Sequence, residues 1–192
     1  MKNIYIYGVM LSGLLLACCT QQEARKPVSH SSGTFIKESI ERNKKLITNE
    51  ETLIDDIIKK DTTENYIASP RGYWYHYETK SDKESYTPVK GDVALFDYSV
   101  TDLNGDVIYT EEELRTQTYA VDKQNIMMGL RDGIKLMKKG EKIKFLFPSH
   151  MAYGYHGDDN KIGTNQPIIC IVTLNDIQKG AALKKEPNKT IE

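Results

Sequence analysis

Apolar residues in segment 34–68 recur every three or four positions, the period of an α-helix that buries one face. The stripe consists of Ile36, Ile40, Leu46, Ile47, Leu53, Ile54, Ile57 and Ile58. The spacing predicts a helical N-terminal extension of one or two amphipathic helices. A stripe of this length needs a covering surface. The sequence leaves three candidates open: the rest of the chain, a second copy in a homodimer through these helices, or a client protein.

After residue 68 the pattern changes to short apolar and aromatic runs separated by turn residues, which is typical of β-strands. Four runs predict strands, 73–77, Val93–Thr101, Lys142–Phe147 and 167–177, and a further strand is predicted directly after Asn104-Gly105. Asn104-Gly105 predicts a two-residue hairpin turn with positive φ. Residues 125–139 instead have helical spacing and end at Gly140, a common helix stop. The order of elements predicts an α+β domain over 69–178, followed by a charged tail over 179–192.

Charge and cofactor chemistry narrow the functional classes. The 26 basic and 27 acidic residues nearly cancel, so no overall field favours nucleic acid. No two of the four histidines have the helical spacing of zinc ligands. The acidic residues of segment 102–113 resemble a calcium loop, but Val107 stands where that loop needs glycine. We therefore expect no nucleic-acid partner, no metal and no cofactor.

The N-terminus resembles a bacterial lipoprotein signal. A basic start precedes an apolar run over 4–17 that is too short to span a bilayer core of about 30 Å, which predicts a signal peptide over 1–17. Leu15-Leu16-Ala17-Cys18 is similar to the lipobox, and this implies cleavage before Cys18 and its acylation. We expect a lipidated tether over 18–33 and a lipid-anchored protein of the outer membrane that faces the periplasm. An ordinary cleaved signal is the alternative.

Cys170 is the one cysteine outside the N-terminal pair Cys18 and Cys19, so no disulfide can form within the domain. It lies in an apolar strand. Burial there raises a thiol pKa and favours packing in the core over a redox role.

The order of short motifs over 88–177 resembles the FKBP-type peptidyl-prolyl isomerases. The motifs are Ala94-Leu95-Phe96-Asp97-Tyr98-Ser99, Asn104-Gly105-Asp106-Val107-Ile108-Tyr109, the segment 124–133, Lys139-Gly140-Glu141-Lys142, Phe147-Pro148, Ala152-Tyr153-Gly154 and the segment 167–174. The resemblance implies a half-barrel antiparallel sheet around one short helix. It also implies an apolar pocket for a proline side chain. The lipobox and the segment 69–74 are similar to isomerase lipoproteins associated with gliding motility.

The resemblance also implies roles for individual residues. Tyr98 lines the pocket, the backbone N–H of Met127 bonds a substrate carbonyl, and Tyr153 offers its hydroxyl. Leu130 takes the place of a tryptophan at the pocket floor. The substrate-binding residues implied are Ile108, Tyr109, Tyr119, Ile126, Leu130, Ile162 and Cys170.

This chain departs from the family at several pocket positions. Ile108-Tyr109 replaces a Phe-Asp pair, while Gln117 and Cys170 replace aromatic residues, with Tyr119 as a candidate substitute for one of them. Two functions stay open. The domain is an isomerase and folding helper for Xaa-Pro-containing envelope polypeptides, or it is a catalytically weak or inactive peptide-binding module of an envelope assembly. A purely structural scaffold is the third possibility.

Overall fold

The computed structural model describes residues 32–180, with side chains from Thr34 onward. The predicted signal peptide, Cys18, nearly all of the tether and most of the charged tail lie outside the described residues. The described chain divides into two compact units, and the boundary between Ser39 and Ile40 falls inside the first helix. Among residues 32–180, no helix combines the length and apolarity needed to cross a bilayer.

The N-terminal extension forms one continuous helix, α1 (Ser32–Lys60). The side-chain hydroxyls of Thr48 and Thr52 donate to backbone carbonyls four residues earlier, at 2.9 and 2.8 Å, so these polar residues lie within the helix and do not end it. Ile54 is fully buried in a cluster with Leu146 and Ile169 of the sheet. Ile54, Ile57 and Ile58 of the predicted stripe are therefore covered by the domain itself, whereas Leu53 is 54% exposed.

Within residues 32–180, seven strands form one antiparallel sheet. The strands are β1 (Ile67–Ser69), β2 (Tyr73–Thr79), β3 (Val93–Thr101), β4 (Val107–Tyr109), β5 (Gln117–Ala120), β6 (Lys142–Phe147) and β7 (Ile168–Gln178). Their order is β1-β2-β6-β7-β3-β4, and β5 also pairs with β3. The helices are α2 (Glu111–Leu114) and α3 (Met128–Gly133), and single 3₁₀ turns occupy Ile134–Leu136 and Ser149–Met151. This arrangement confirms the predicted α+β class.

The first strand begins and the last strand ends within two residues of the predicted domain bounds, 69 and 178. β1 begins at Ile67, which pairs with Tyr75 of β2, so the sheet starts inside the segment assigned to the helical extension. At the other end, the predicted tail begins with residues that are bound to the domain. The backbone N–H of Gly180 donates to Asp92 at 2.9 Å, and the Lys179 ammonium lies 4.3 Å from the centre of the Tyr86 ring.

The hairpin between β3 and β4 also differs from the prediction. Gly105 has φ +93°, whereas Asn104 has no positive φ, so the two-residue turn does not form. Asp102 Oδ1 accepts from the backbone N–H of Asn104 at 2.8 Å and of Asp106 at 2.9 Å. Side chains of aspartate commonly bond backbone groups a few residues on. The Asp102 carboxylate therefore holds a longer turn.

The predicted helix over 125–139 is much shorter. Met127 has ψ 132°, an extended value, and the α-helix runs only from Met128 to Gly133 before the 3₁₀ turn. The main core lies between this short helix and the sheet. Leu130 and Ile134 point into it from the helix side, and Phe145 and Phe147 point into it from β6.

Candidate active site

A cavity of about 200 Å³ opens between α3 and the sheet. It is lined by Phe96, Tyr98, Gln117, Thr118, Tyr119, Ile126, Met127, Leu130 and Tyr153. The structure thus brings Tyr98, Met127 and Tyr153, the three residues assigned catalytic roles by resemblance, to one cavity. Three of the implied substrate-binding residues, Tyr119, Ile126 and Leu130, also line this cavity.

Strand β3 supplies one wall because alternate residues of a strand point to the same side. Ala94, Phe96 and Val100 are buried on the core face, and Tyr98 on that face is only partly buried, so it faces the cavity. The ring centres of Phe96 and Tyr98 are 5.6 Å apart. Phe96 was not among the predicted site residues, although its two-residue spacing from Tyr98 places both side chains on the same side of the strand.

Met127 lies at the mouth of the cavity, immediately before α3. Its carbonyl accepts the N–H of Arg131 at 3.1 Å, which begins the helix. Its own backbone N–H donates to no acceptor in the described part of the chain. This amide is therefore available to a bound ligand.

The phenols of Tyr98 and Tyr153 stay protonated over the physiological range. Burial raises the pKa of Tyr98, and its proximity to Tyr153 and Cys170 adds to the rise. Burial also raises the pKa of Tyr153, with a further contribution from Cys170. The cavity therefore presents neutral hydroxyls, which can donate hydrogen bonds, and no phenolate.

Tyr109 and Ile162 do not line the cavity; they fix the loop that follows Tyr153. The Tyr109 hydroxyl donates to Asp158, and Asn160 Nδ2 donates to the Tyr109 oxygen at 3.0 Å. Asp158 Oδ1 accepts the N–H of Ile162 at 2.7 Å, and the Ile162 side chain is buried in the core. Burial alone would raise the pKa of Asp158, but these hydrogen bonds outweigh it and lower the pKa.

Three other positions depart from the family: Cys170, Ile108 and Gln117. Cys170 is fully buried opposite Val100 and Phe145, and burial raises the pKa of its thiol. Ile108 is partly buried against the main core. Gln117 lines the cavity, and its amide nitrogen donates to the carbonyl of Leu114 at 2.5 Å.

A wider groove of about 480 Å³ continues from the cavity. Ile126, Met127 and Tyr153 line both spaces. The groove adds Asn125, Met128, Arg131, His150, Ala152 and Gly154. These residues were not predicted, because local spacing does not show that Arg131 and His150, from two different segments, line one groove.

Residues 84–175 match the family model described as FKBP-type peptidyl-prolyl cis-trans isomerase. Residues 84–175 are therefore similar to this family, and they make up slightly less than half of the chain. A probable FKBP-type isomerase FkpA of Neisseria meningitidis serogroup B is 26% identical over 98 residues, which is 51% of this chain and 36% of that protein. FkpA of Buchnera aphidicola is 30% identical over 83 residues, 43% of this chain and 34% of that protein.

This chain therefore spans about a third of the length of these two relatives. The crystal structure of FkpA from Escherichia coli is similar over 94% of this chain and 84% of that one, with a TM-score of 0.58 and 21% identity. At that identity the similarity concerns the fold alone.

Proposed function

We propose that this chain is a peptidyl-prolyl cis-trans isomerase that assists the folding of Xaa-Pro-containing polypeptides. One observation carries the proposal: an apolar cavity bordered by Tyr98, Leu130 and Tyr153 has the unused N–H of Met127 at its mouth. Its volume, about 200 Å³, is below the roughly 300–1,000 Å³ typical of pockets for drug-sized ligands. Such a space suits a single side chain such as the proline ring.

The chemistry needs no nucleophile. Rotation about an Xaa-Pro bond crosses a barrier of roughly 18–20 kcal/mol because the amide loses its resonance, but no covalent bond breaks. A site lowers that barrier when it binds the twisted amide more tightly than the planar one. Leu130 and the aromatic walls would hold the proline ring, and the Met127 N–H and the Tyr153 hydroxyl would bond carbonyl groups of the twisted chain.

A second function, a peptide-binding module with weak or no turnover, is favoured by the region around Tyr109. The family has a carboxylate at this position, and here Tyr109 donates its hydroxyl to Asp158. The Asp158 carboxylate also accepts backbone N–H groups of its own loop, so it is fully engaged there. Among residues 32–180, no carboxylate lines the cavity itself. A domain of this kind would bind proline-containing segments without accelerating their rotation.

Replacing Tyr153 with phenylalanine should lower kcat/KM about tenfold, since one hydrogen bond of roughly 1 kcal/mol or slightly more is lost from the transition state. Tyr98→Ala removes an aromatic wall and should lower kcat/KM about a hundredfold. A protease-coupled assay on Xaa-Pro tetrapeptides measures both. Tyr155→Phe is the matched control, because the Tyr155 side chain is 73% exposed and lies outside the cavity.

Turnover at the background rate in the wild type would end the isomerase proposal. Retained binding of a proline-mimicking macrolide by that inactive protein would then support the peptide-binding module. Equal losses in Tyr153→Phe and Tyr155→Phe would remove Tyr153 from the proposed site.

We also propose that the chain acts in the bacterial envelope, is anchored by lipid on Cys18, and supports gliding motility. The support is the lipobox ending at Cys18 and the likeness to motility-associated isomerase lipoproteins. Metabolic labelling with a fatty acid should label the wild type and the Cys19→Ala control but not Cys18→Ala. Label that persists in Cys18→Ala would contradict the anchor. Unchanged spreading of cells that carry only this variant would argue against an anchored role in motility.

Pairing of two copies through α1 remains a prediction. Ile40 and Leu53 support it, because these apolar side chains on the helix are 58% and 54% exposed.

A further inference from the structure

Glu50 is a buried carboxylate in the middle of α1, with only 3% of the residue exposed. Its Oε2 accepts the backbone N–H of Ser149 at 2.7 Å, and its Oε1 accepts the Ser149 hydroxyl at 2.7 Å. No salt bridge to Glu50 occurs among residues 32–180. Burying a carboxylate is costly unless hydrogen bonds satisfy it, so this contact is specific in position and direction.

Ser149 connects this contact to the candidate active site. Its carbonyl accepts the backbone N–H of Gly154 at 2.8 Å and of Ala152 at 3.0 Å. These two residues flank Tyr153, which lines both the cavity and the groove. Glu50 therefore holds the residue whose carbonyl fixes the backbone on both sides of Tyr153.

Packing alone does not explain a glutamate at this position. The stripe position between Ile47 and Ile54 would normally carry an apolar residue, and Ile54 already fixes the helix against Leu146 and Ile169. Replacing buried charged groups with apolar residues of similar size is often neutral or stabilising. What the carboxylate adds is a fixed orientation for Ser149.

We propose that Glu50 is a positioning residue. Through its hydrogen bonds to Ser149 it fixes the position of the Tyr153 hydroxyl, so the geometry of the site depends on α1. This inference rests on the proposed isomerase function. Glu50 lines neither the cavity nor the groove, so its role is indirect. The loop that carries Tyr153 then depends on α1 for its geometry.

The test compares three variants of the full chain in detergent solution. Glu50→Leu removes both acceptors, Glu50→Gln can still accept from the Ser149 N–H, and Ile54→Ala weakens the attachment of α1 without touching Ser149. Three quantities are measured below the melting temperature of every variant: kcat/KM, Tm, and hydrogen exchange of the Ala152 and Gly154 amides.

Glu50→Leu should lower kcat/KM about tenfold, chiefly through kcat, and speed exchange of the two amides about tenfold, because two hydrogen bonds that order Ser149 are lost. For Glu50→Gln, kcat/KM and the exchange rates of the two amides should stay within about threefold of the wild-type values, since one acceptor remains. Ile54→Ala should lower Tm but leave kcat/KM and the two amides unchanged.

Should Glu50→Leu fail to fold, Ser149→Ala replaces it. This variant loses only the hydroxyl contact and should give a smaller change in the same two quantities.

Unchanged exchange and unchanged kcat/KM in Glu50→Leu would overturn the inference, whatever happens to Tm. Equal effects of Glu50→Leu and Ile54→Ala would overturn it as well, because they would reduce Glu50 to a stabilising contact. If the wild type shows no turnover, the proposed function fails separately. The exchange of the Ala152 and Gly154 amides then still decides whether Glu50 positions the loop.

Discussion

Replacing Gly129 with alanine is expected to destabilise the domain by about 3 kcal/mol, although alanine normally stabilises a helix by roughly 0.5–1 kcal/mol relative to glycine. The added Cβ would lie 2.5 Å from the nearest ring carbon of Phe147. That ring is fully buried and stacks on Phe145 with centres 5.2 Å apart. Tyr73 contacts it edge-on at 5.4 Å. Because the ring is fully buried and contacts two other rings, we expect α3 to shift away from the sheet.

Thermal unfolding followed by circular dichroism measures this effect. We expect Tm to fall by roughly 10 °C, since 1 kcal/mol corresponds to about 2–8 °C for domains of this size range. Gly163→Ala is the matched control, because its Cβ would meet nothing closer than Gln166 Oε1 at 3.5 Å and no positive φ is required there. Similar Tm values for the two variants would contradict the close approach of α3 to β6.

Most of the sheet could be predicted from the sequence because strand patterns are local, but no predicted run covers the short strands β1 and β5. The alternation along Val93–Thr101 predicts which side chains face the core, and the structure places Ala94, Phe96 and Val100 there. The extent of α3 could not be predicted in the same way. Helical spacing over 125–139 is compatible with a long helix, and only tertiary packing shows that the helix begins at Met128. The close contact of Gly129 with Phe147 joins residues from different elements, which no local pattern records.

The candidate site, too, could be predicted from the sequence only in part. The family motifs predict Tyr98, Met127 and Tyr153 as site residues. These three residues line one cavity, because the order of the motifs also implies the fold that brings them together. The contacts that are specific to this chain could not be predicted from the sequence. Asp158 lies 49 positions from Tyr109, and Ser149 lies 99 positions from Glu50. Glu50 had one local signal, a charged residue at a position of the apolar stripe, but that signal does not name the partner.

Replacing Met127 with proline should abolish most turnover while leaving the fold intact. Proline removes the backbone N–H, and the described part of the chain uses this N–H for no internal hydrogen bond, so none is lost. The φ of Met127 is −45°, near the value of about −65° that the proline ring imposes. The residue lies immediately before α3, where a proline does not interrupt the helix. Stability should therefore change little.

The loss of activity should be large because the N–H would donate to a carbonyl of the twisted amide in a dry site. Removing one donor of this kind lowers kcat roughly 100- to 1,000-fold in enzymes that use such groups. Met127→Ala is the matched control. It keeps the N–H and loses only side-chain contacts at the cavity mouth, so its kcat/KM should fall no more than about tenfold. Full turnover by a folded Met127→Pro would show that this amide is not the donor, and the apolar walls alone would then have to account for catalysis.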